Sequence, residues 1–128
     1  MSKVVLDASA VLVLLQGEPG AEKLTPELLT DSAISTVNLA EVQTILIHRG
    51  GNAEEAWEDA LASVAAVEPF TAEQAKIAGS LVAQTRYLGL SLGDRACLAL
   101  AISLKAPVYT TDRVWRDVRV GVPIHVIR

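Results

Sequence analysis

Short apolar runs alternate along the chain with longer segments that end near glycine or proline, and this alternation predicts strands and helices in turn. The run from Lys3 to Leu6 is typical of a strand buried on both faces, and an apolar helix follows directly after Asp7. The predicted strands cover residues 3–6, 32–35, 64–70, 108–110 and 123–127. The predicted helices cover residues 8–15, 21–29, 37–48, 53–62 and 72–86, and a last helix follows the capping-box sequence Ser91–Asp94 and ends at Leu104.

Strands that alternate with helices in this way indicate an α/β fold, in which helices cover both faces of a central parallel sheet. The 128 residues contain no repeat, no low-complexity tract and no linker, so we expect one domain over residues 1–128. Hydrophobic residues make up 51% of the chain, but their runs are too short to cross a membrane. The apolar start, residues 1–15, is interrupted by Asp7 and is interpreted as the first strand rather than as an export signal. The single cysteine, Cys97, cannot form an internal disulfide, which fits a reducing cytoplasm.

The net charge of −4 is unevenly distributed, and this bears on the class of partner. Residues 1–85 carry twelve acidic and four basic side chains, whereas residues 86–128 carry three acidic and seven basic ones. Such asymmetry permits a cationic groove on an acidic molecule. A nucleic-acid partner is therefore compatible with the acidic composition.

Four acidic residues stand where the predicted strands and helices meet. Asp7 directly follows the first strand, and Asp112 follows the strand at 108–110. Glu41 lies in the second turn of the helix after the second strand, and Asp94 lies at the start of the last helix. In an open parallel sheet, ligands bind beyond the carboxyl ends of the strands, so Asp7 and Asp112 are expected there. The other two acids join them if their helices begin at the same edge.

Several carboxylates in one crevice repel each other, so ionisation of all four needs a counter-charge. Mg²⁺ or Mn²⁺ supplies that charge through oxygen ligands, with some water molecules retained. Such ions activate a water molecule and stabilise the phosphate during in-line displacement. The acids therefore predict phosphodiester hydrolysis, and the lack of Cys or His at ligand spacing argues against zinc.

Around these acids the sequence resembles the PIN-domain family. The matching segments are Val4-Val5-Leu6-Asp7-Ala8-Ser9, Asn38-Leu39-Ala40-Glu41-Val42, Leu92-Gly93-Asp94 and Thr110-Thr111-Asp112, whose order and spacing cover essentially the whole chain. The length is similar to that of VapC toxins, which form the toxin half of VapBC toxin–antitoxin pairs. The resemblance implies a three-layer PIN-like fold with a sheet of about five strands. It also implies endonucleolytic cleavage of RNA.

The resemblance further implies roles for individual residues. The catalytic residues, which would also bind Mg²⁺ or Mn²⁺, are Asp7, Glu41, Asp94 and Asp112. Ser9 and Thr110 match small hydroxyl positions of the family, where a metal-bound water is held. Asp117 falls where the family pattern varies, so it is not assigned to the site. A homodimer, and inhibition by a cognate VapB-like antitoxin whose tail covers the crevice, are also implied.

Each acid has a structural explanation as well. Asp7 and Asp112 can cap the helices that follow them, and Asp94 can be the N3 residue of a capping box with Ser91. Glu41 lies on a largely apolar helix, where an unpaired carboxylate is costly. We favour the metal site because it explains all four positions together.

Arginines in the last third of the chain are candidates for contacts with RNA phosphates, although exposed arginines are also common on surfaces that bind nothing. Arg95 is the strongest candidate because it stands beside Asp94, and Arg113 and Arg116 follow Asp112.

The strongest rival from another class is a receiver-like phosphoacceptor signalling domain, which shares the length, the parallel sheet and an acidic Mg²⁺ pocket. Receivers need two adjacent acids after the first strand and an acceptor Asp after the third. In this chain Asp7 stands alone, and no acid follows Phe70 before Glu73. A non-toxin PIN nuclease that processes RNA is the second alternative.

Overall fold

The computed structural model describes residues 3–128, in which five strands form one sheet; Met1 and Ser2, part of the apolar start, lie outside the described residues. The strands are β1 (Val4–Leu6), β2 (Ser32–Ser35), β3 (Ala66–Glu68), β4 (Val108–Thr110) and β5 (Ile124–Val126). Their order across the sheet is β3-β2-β1-β4-β5, and every neighbouring pair is parallel. The predicted parallel sheet is confirmed, and all its strands end at the same edge.

Helices fill the connections between the strands. The α-helices of residues 3–128 are α1 (Ala8–Gln16), α2 (Pro26–Leu29), α3 (Thr36–His48), α4 (Ala53–Ala62), α5 (Ala72–Ser80), α6 (Val82–Thr85) and α7 (Leu92–Leu104). Short 3-10 helices cover Ala21–Lys23, Arg86–Leu88 and Arg113–Asp117. These bounds agree with the predicted helices except in two places.

The prediction of one helix over residues 21–29 is wrong. The chain forms a 3-10 turn at Ala21–Lys23 and begins α2 only at Pro26, because the Thr25 hydroxyl accepts a hydrogen bond from the Leu28 N–H and proline suits the first helical position. The predicted helix 72–86 is likewise divided into α5 and α6. This division at Leu81 follows Gly79, and glycine weakens the interior of a helix.

The sheet separates two hydrophobic clusters, which gives the protein three layers. Val5 packs on one side with buried residues of α7 and with Trp115, whereas Leu6 packs on the other side with buried residues of α1 and α3. Successive side chains of a strand point to opposite faces, so this central strand is anchored in both clusters. Within residues 3–128 no helix has both the length and the hydropathy needed to span a bilayer.

Candidate active site

The four predicted acids line one cavity of about 190 Å³ at the carboxyl edge of the sheet. Asp7 follows β1 and Asp112 lies just beyond β4; because these strands are parallel neighbours, both acids emerge at the same edge. Glu41 reaches the cavity from α3, and Asp94 reaches it from the first turn of α7. Acids from near the start, the middle and near the end of the sequence thus surround one cavity.

Asp7 is the most deeply buried of these acids, with 5% of its surface exposed. Its Oδ1 accepts hydrogen bonds from the Ser9 hydroxyl at 2.7 Å and the Ala10 N–H at 2.9 Å, and its Oδ2 accepts one from the Thr110 hydroxyl at 2.6 Å. Burial nevertheless raises the pKa of Asp7 from its ordinary value of 3.8 to about 6, because desolvation outweighs these three hydrogen bonds. The negative charge of Asp94 adds to the rise in pKa.

Ser9 and Thr110 join the ends of β1 and β4. Their hydroxyls lie 3.3 Å apart, and Ser9 Oγ also accepts a hydrogen bond from the Thr111 N–H at 3.0 Å. Thr110 Oγ1 accepts one from the Asp112 N–H at 3.1 Å. These hydroxyls therefore hold Asp7 and the backbone before Asp112 in place, while the predicted role of holding a metal-bound water stays a prediction.

The Glu41 carboxylate is held in place by Asn38 of its own helix and by Gly93 of α7. Asn38, one helical turn earlier on α3, donates from Nδ2 to Glu41 Oε1 at 2.8 Å and to the Gly93 carbonyl at 3.0 Å. Gly93 lies directly against the Glu41 carboxylate, where a β-carbon would come within 2.8 Å of Oε1. Asn38 is a functional residue that the sequence pattern alone does not identify, although a polar side chain three positions before Glu41 lies on the same face of an otherwise apolar helix.

The structural explanation for the three aspartates is also correct, because each of them caps a helix. Asp94 Oδ2 accepts a hydrogen bond from the Ser91 N–H at 2.9 Å in a complete capping box, and Asp112 Oδ1 accepts one from the Val114 N–H at 3.0 Å. Each of these two caps uses a single oxygen, so the second oxygen of Asp94 and of Asp112 is not needed by the cap. Capping and ligand binding are therefore compatible roles.

The charge of the cavity also reaches Cys97, which is fully buried in α7. Burial raises the pKa of the Cys97 thiol, and the negative charges of Asp7, Asp94 and Glu41 raise it further. A protonated, buried thiol is unreactive, in keeping with a residue of the core.

The donors of the cavity fit a hydrated divalent cation. In residues 3–128 no three His, Cys, Asp or Glu side chains are grouped closely enough to hold a metal ion directly. The four acids line one cavity but do not meet at one point. Oxygen donors and room for water suit Mg²⁺ or Mn²⁺, which retain part of their hydration shell. Asn38 Oδ1 is buried and has no partner within the described part of the chain. It is an acceptor that a metal-bound water can satisfy.

The three arginines predicted to contact RNA lie outside this cavity lining. The Arg95 guanidinium is half-buried and donates to the Ala78 carbonyl at 2.8 Å, so it holds the end of α5. Arg113 donates to the Arg128 carbonyl at 3.3 Å, and Arg116 is exposed. Asp117, which the sequence does not assign to the acidic site, is exposed at the end of the last 3-10 helix. Its side chain does not line the cavity.

Comparison with known proteins gives one family match. A family model described as "PIN domain" matches residues 4–121. No curated protein matches the chain.

Several solved structures share the fold at low sequence identity. VapC20 of Mycobacterium tuberculosis, described as a sarcin–ricin loop cleaving toxin, superposes with a TM-score of 0.75 at 22% identity, over 94% of this chain and 99% of that chain. DNA-bound VapBC from Salmonella typhimurium gives a TM-score of 0.74 at 17% identity, over 98% of both chains. VapBC2 from Rickettsia felis, bound to a promoter DNA fragment, gives 0.73 at 18% identity, over 95% of this chain and 96% of that chain.

Proposed function

Since this chain belongs to the PIN-domain family, whose model matches residues 4–121, we propose that it is an endoribonuclease that depends on Mg²⁺ or Mn²⁺ and that residues 1–128 form one PIN domain. The observation that carries the proposal is the single cavity that four carboxylates from distant parts of the chain surround. An acidic cavity repels the phosphates of RNA until a cation neutralises it. A chain that builds such a cavity at the ligand-binding edge of its sheet is suited to cation-assisted hydrolysis of phosphodiesters.

The proposed catalytic residues are the acids that would hold the cation: Asp7, Glu41, Asp94 and Asp112. When bound, the cation supplies a nucleophilic water and stabilises negative charge on the phosphate. The hydroxyls of Ser9 and Thr110 orient Asp7, since both donate to its carboxylate. Arg95, Arg113 and Arg116 remain our candidates for contacts with the RNA backbone.

We further infer that the protein is the toxin of a VapBC toxin–antitoxin pair and acts in the cytoplasm. Structures described as VapBC or VapC superpose on 94–98% of this chain, which supports the inference at the level of the fold. The proposed partners are a cognate VapB-like antitoxin and a second copy of the chain.

The receiver-like alternative is disfavoured by the order of the strands. A receiver needs its acceptor Asp after the third strand, close to the acid after the first. In this sheet β2 separates β3 from β1, so a residue that follows β3 would lie two strands away from Asp7.

Cleavage of single-stranded RNA by the purified chain tests the nuclease proposal. We expect cleavage with Mn²⁺ or Mg²⁺, none in excess EDTA, and none with Asp94→Asn. Asp59→Asn, which changes an exposed acid on α4, is the matched control and should cleave at the rate of the unaltered chain. Full activity of the unaltered chain in EDTA, or of Asp94→Asn, would contradict the proposal.

Growth after expression of the chain alone separates a toxin from an RNA-processing nuclease. We expect growth arrest that Asp7→Asn relieves and that co-expression of the cognate antitoxin, sought among small proteins encoded by adjoining genes, also relieves. A chain that cleaves RNA in vitro but leaves growth unchanged at equal protein levels would favour the RNA-processing alternative.

A further inference from the structure

Asn38 is a buried polar residue whose hydrogen bonds connect two helices at the cavity. It is 1% exposed, on an α3 surface that also buries Leu39 and Val42. Its two amide N–H donors are both used, one on Glu41 Oε1 of its own helix and the other on the Gly93 carbonyl of α7. The amide cannot be reversed, because its oxygen would then face two acceptors. Its orientation is therefore fixed by the partners it serves.

Gly93 completes the contact from the side of α7. A β-carbon at this position would lie 2.7 Å from Glu41 Cδ, which is closer than carbon atoms pack. The absence of a side chain lets the carboxylate lie against the first turn of α7, one residue before Asp94. The glycine and the amide therefore hold the carboxylate from two directions.

The need for such support follows from the length of the glutamate side chain. Glu41 is half-buried and has three rotatable bonds, so a carboxylate without partners would turn towards water and away from the other acids. The aspartates are shorter and lie at or within the first turn of a helix, where capping hydrogen bonds already fix them. Glu41 lies inside a helix, where no capping bond is available, and only its neighbours can orient it.

We propose that Asn38 is a positioning residue for Glu41, and that Asn38 and Gly93 together form a seat that fixes the Glu41 carboxylate at the cavity. The inference rests on the proposed cation site and deepens it. Groups that orient a metal ligand typically contribute 10- to 100-fold to metal affinity or activity. Asn38 acts through Glu41, so its contribution disappears when Glu41 is absent.

A double-mutant cycle on Mn²⁺ binding by the full chain, without RNA, tests the proposal. Asn38→Ala should raise the Mn²⁺ dissociation constant by about 10- to 100-fold in the unaltered chain but by less than about twofold in Glu41→Ala. An equal rise in both backgrounds would show that Asn38 acts through the fold and would overturn the proposal. If the unaltered chain binds no Mn²⁺, the proposed function fails instead.

Asn52→Ala is the matched control for this cycle. Asn52 is the other asparagine of the chain and caps α4 with its side-chain oxygen, away from the cavity. The substitution removes hydrogen bonds and should lower the unfolding temperature while leaving Mn²⁺ affinity within about twofold.

Gly93→Ala tests the seat without altering Asn38. This variant therefore provides a test of the proposal even if Asn38→Ala does not fold. Alanine favours a helix more than glycine does, so the added methyl group should displace the Glu41 carboxylate rather than unwind α7. We expect Mn²⁺ affinity to fall by about tenfold or more with no loss of helix content by circular dichroism. Unchanged Mn²⁺ affinity in this variant would overturn the proposal that the seat fixes the Glu41 carboxylate.

Discussion

Asp7→Asn should stabilise the metal-free protein at neutral pH even though it removes a proposed catalytic residue. The carboxyl is buried in the folded protein, where its pKa is about 6, against an ordinary value of 3.8 in an exposed chain. The unfolded state therefore loses the proton at lower pH than the folded state, and rising pH favours unfolding. Protonated Asp7 contributes fully to stability below pH 3.8, and this contribution is lost as pH rises through about 6.

The magnitude follows from the two pKa values. A tenfold change in an equilibrium constant is worth about 1.4 kcal/mol, so ionised Asp7 lowers the free energy of unfolding by about 3 kcal/mol at pH 8 and about 1 kcal/mol at pH 4.5. Asparagine is neutral at both pH values. Its oxygen can accept the bonds from Ser9 and Ala10, and its N–H can donate to the Thr110 hydroxyl, which rotates to accept.

Urea unfolding in excess EDTA, followed by circular dichroism at both pH values, measures the difference between Asp7→Asn and the unaltered chain. The advantage of the variant should grow by about 2 kcal/mol between pH 4.5 and pH 8. Asp59→Asn, an exposed control on α4, should stay within about 0.5 kcal/mol of the unaltered chain. A difference for Asp7→Asn that is constant across this pH range would refute the reasoning.

Three further predictions concern the same site. In urea titrations, Mn²⁺ at about 100 times its dissociation constant should raise the free energy of unfolding of the unaltered chain by about 2.7 kcal/mol. The same Mn²⁺ concentration should raise the free energy of unfolding of Asp94→Asn by clearly less. Thr110→Val removes a hydrogen bond to ionised Asp7, so it should lower the free energy of unfolding by about 1.5–3 kcal/mol at pH 8 and by less at pH 4.5. Equal losses at both pH values would show that the effect does not depend on the charge of Asp7. RNA cleavage should slow steeply between about 50 and 200 mM salt, because contacts with phosphates release counterions, and a flat salt profile would argue against the arginine contacts.

The sequence predicts the order of the elements and the convergence of the acids because both depend on short-range patterns. An apolar run followed by Asp7 marks the end of a buried strand, and parallel strands bring such ends to one edge. Thr25 followed by Pro26 is also a typical helix start, and the prediction of one helix over residues 21–29 overlooks it.

Contacts between distant elements could not be predicted in the same way. The seat of Glu41 depends on Gly93, which lies far from Glu41 in the sequence, and on how closely α3 approaches α7. Arg95 stands beside Asp94 in the sequence, yet its side chain turns to α5 and donates to Ala78. Neighbouring positions on a helix point in different directions, so adjacency in sequence says little about adjacency in the site.

Three of the carboxylates around the cavity are each connected to the polypeptide backbone by an amide proton. The pairs are Asp7 with Ala10, Asp94 with Ser91, and Asp112 with Val114. A cation that withdraws electron density from one of these carboxylates must change the resonance of the amide bonded to it. In a ¹⁵N-labelled chain these three signals would act as separate reporters of occupancy, and a titration with Mg²⁺ would show the order in which the three aspartates are engaged.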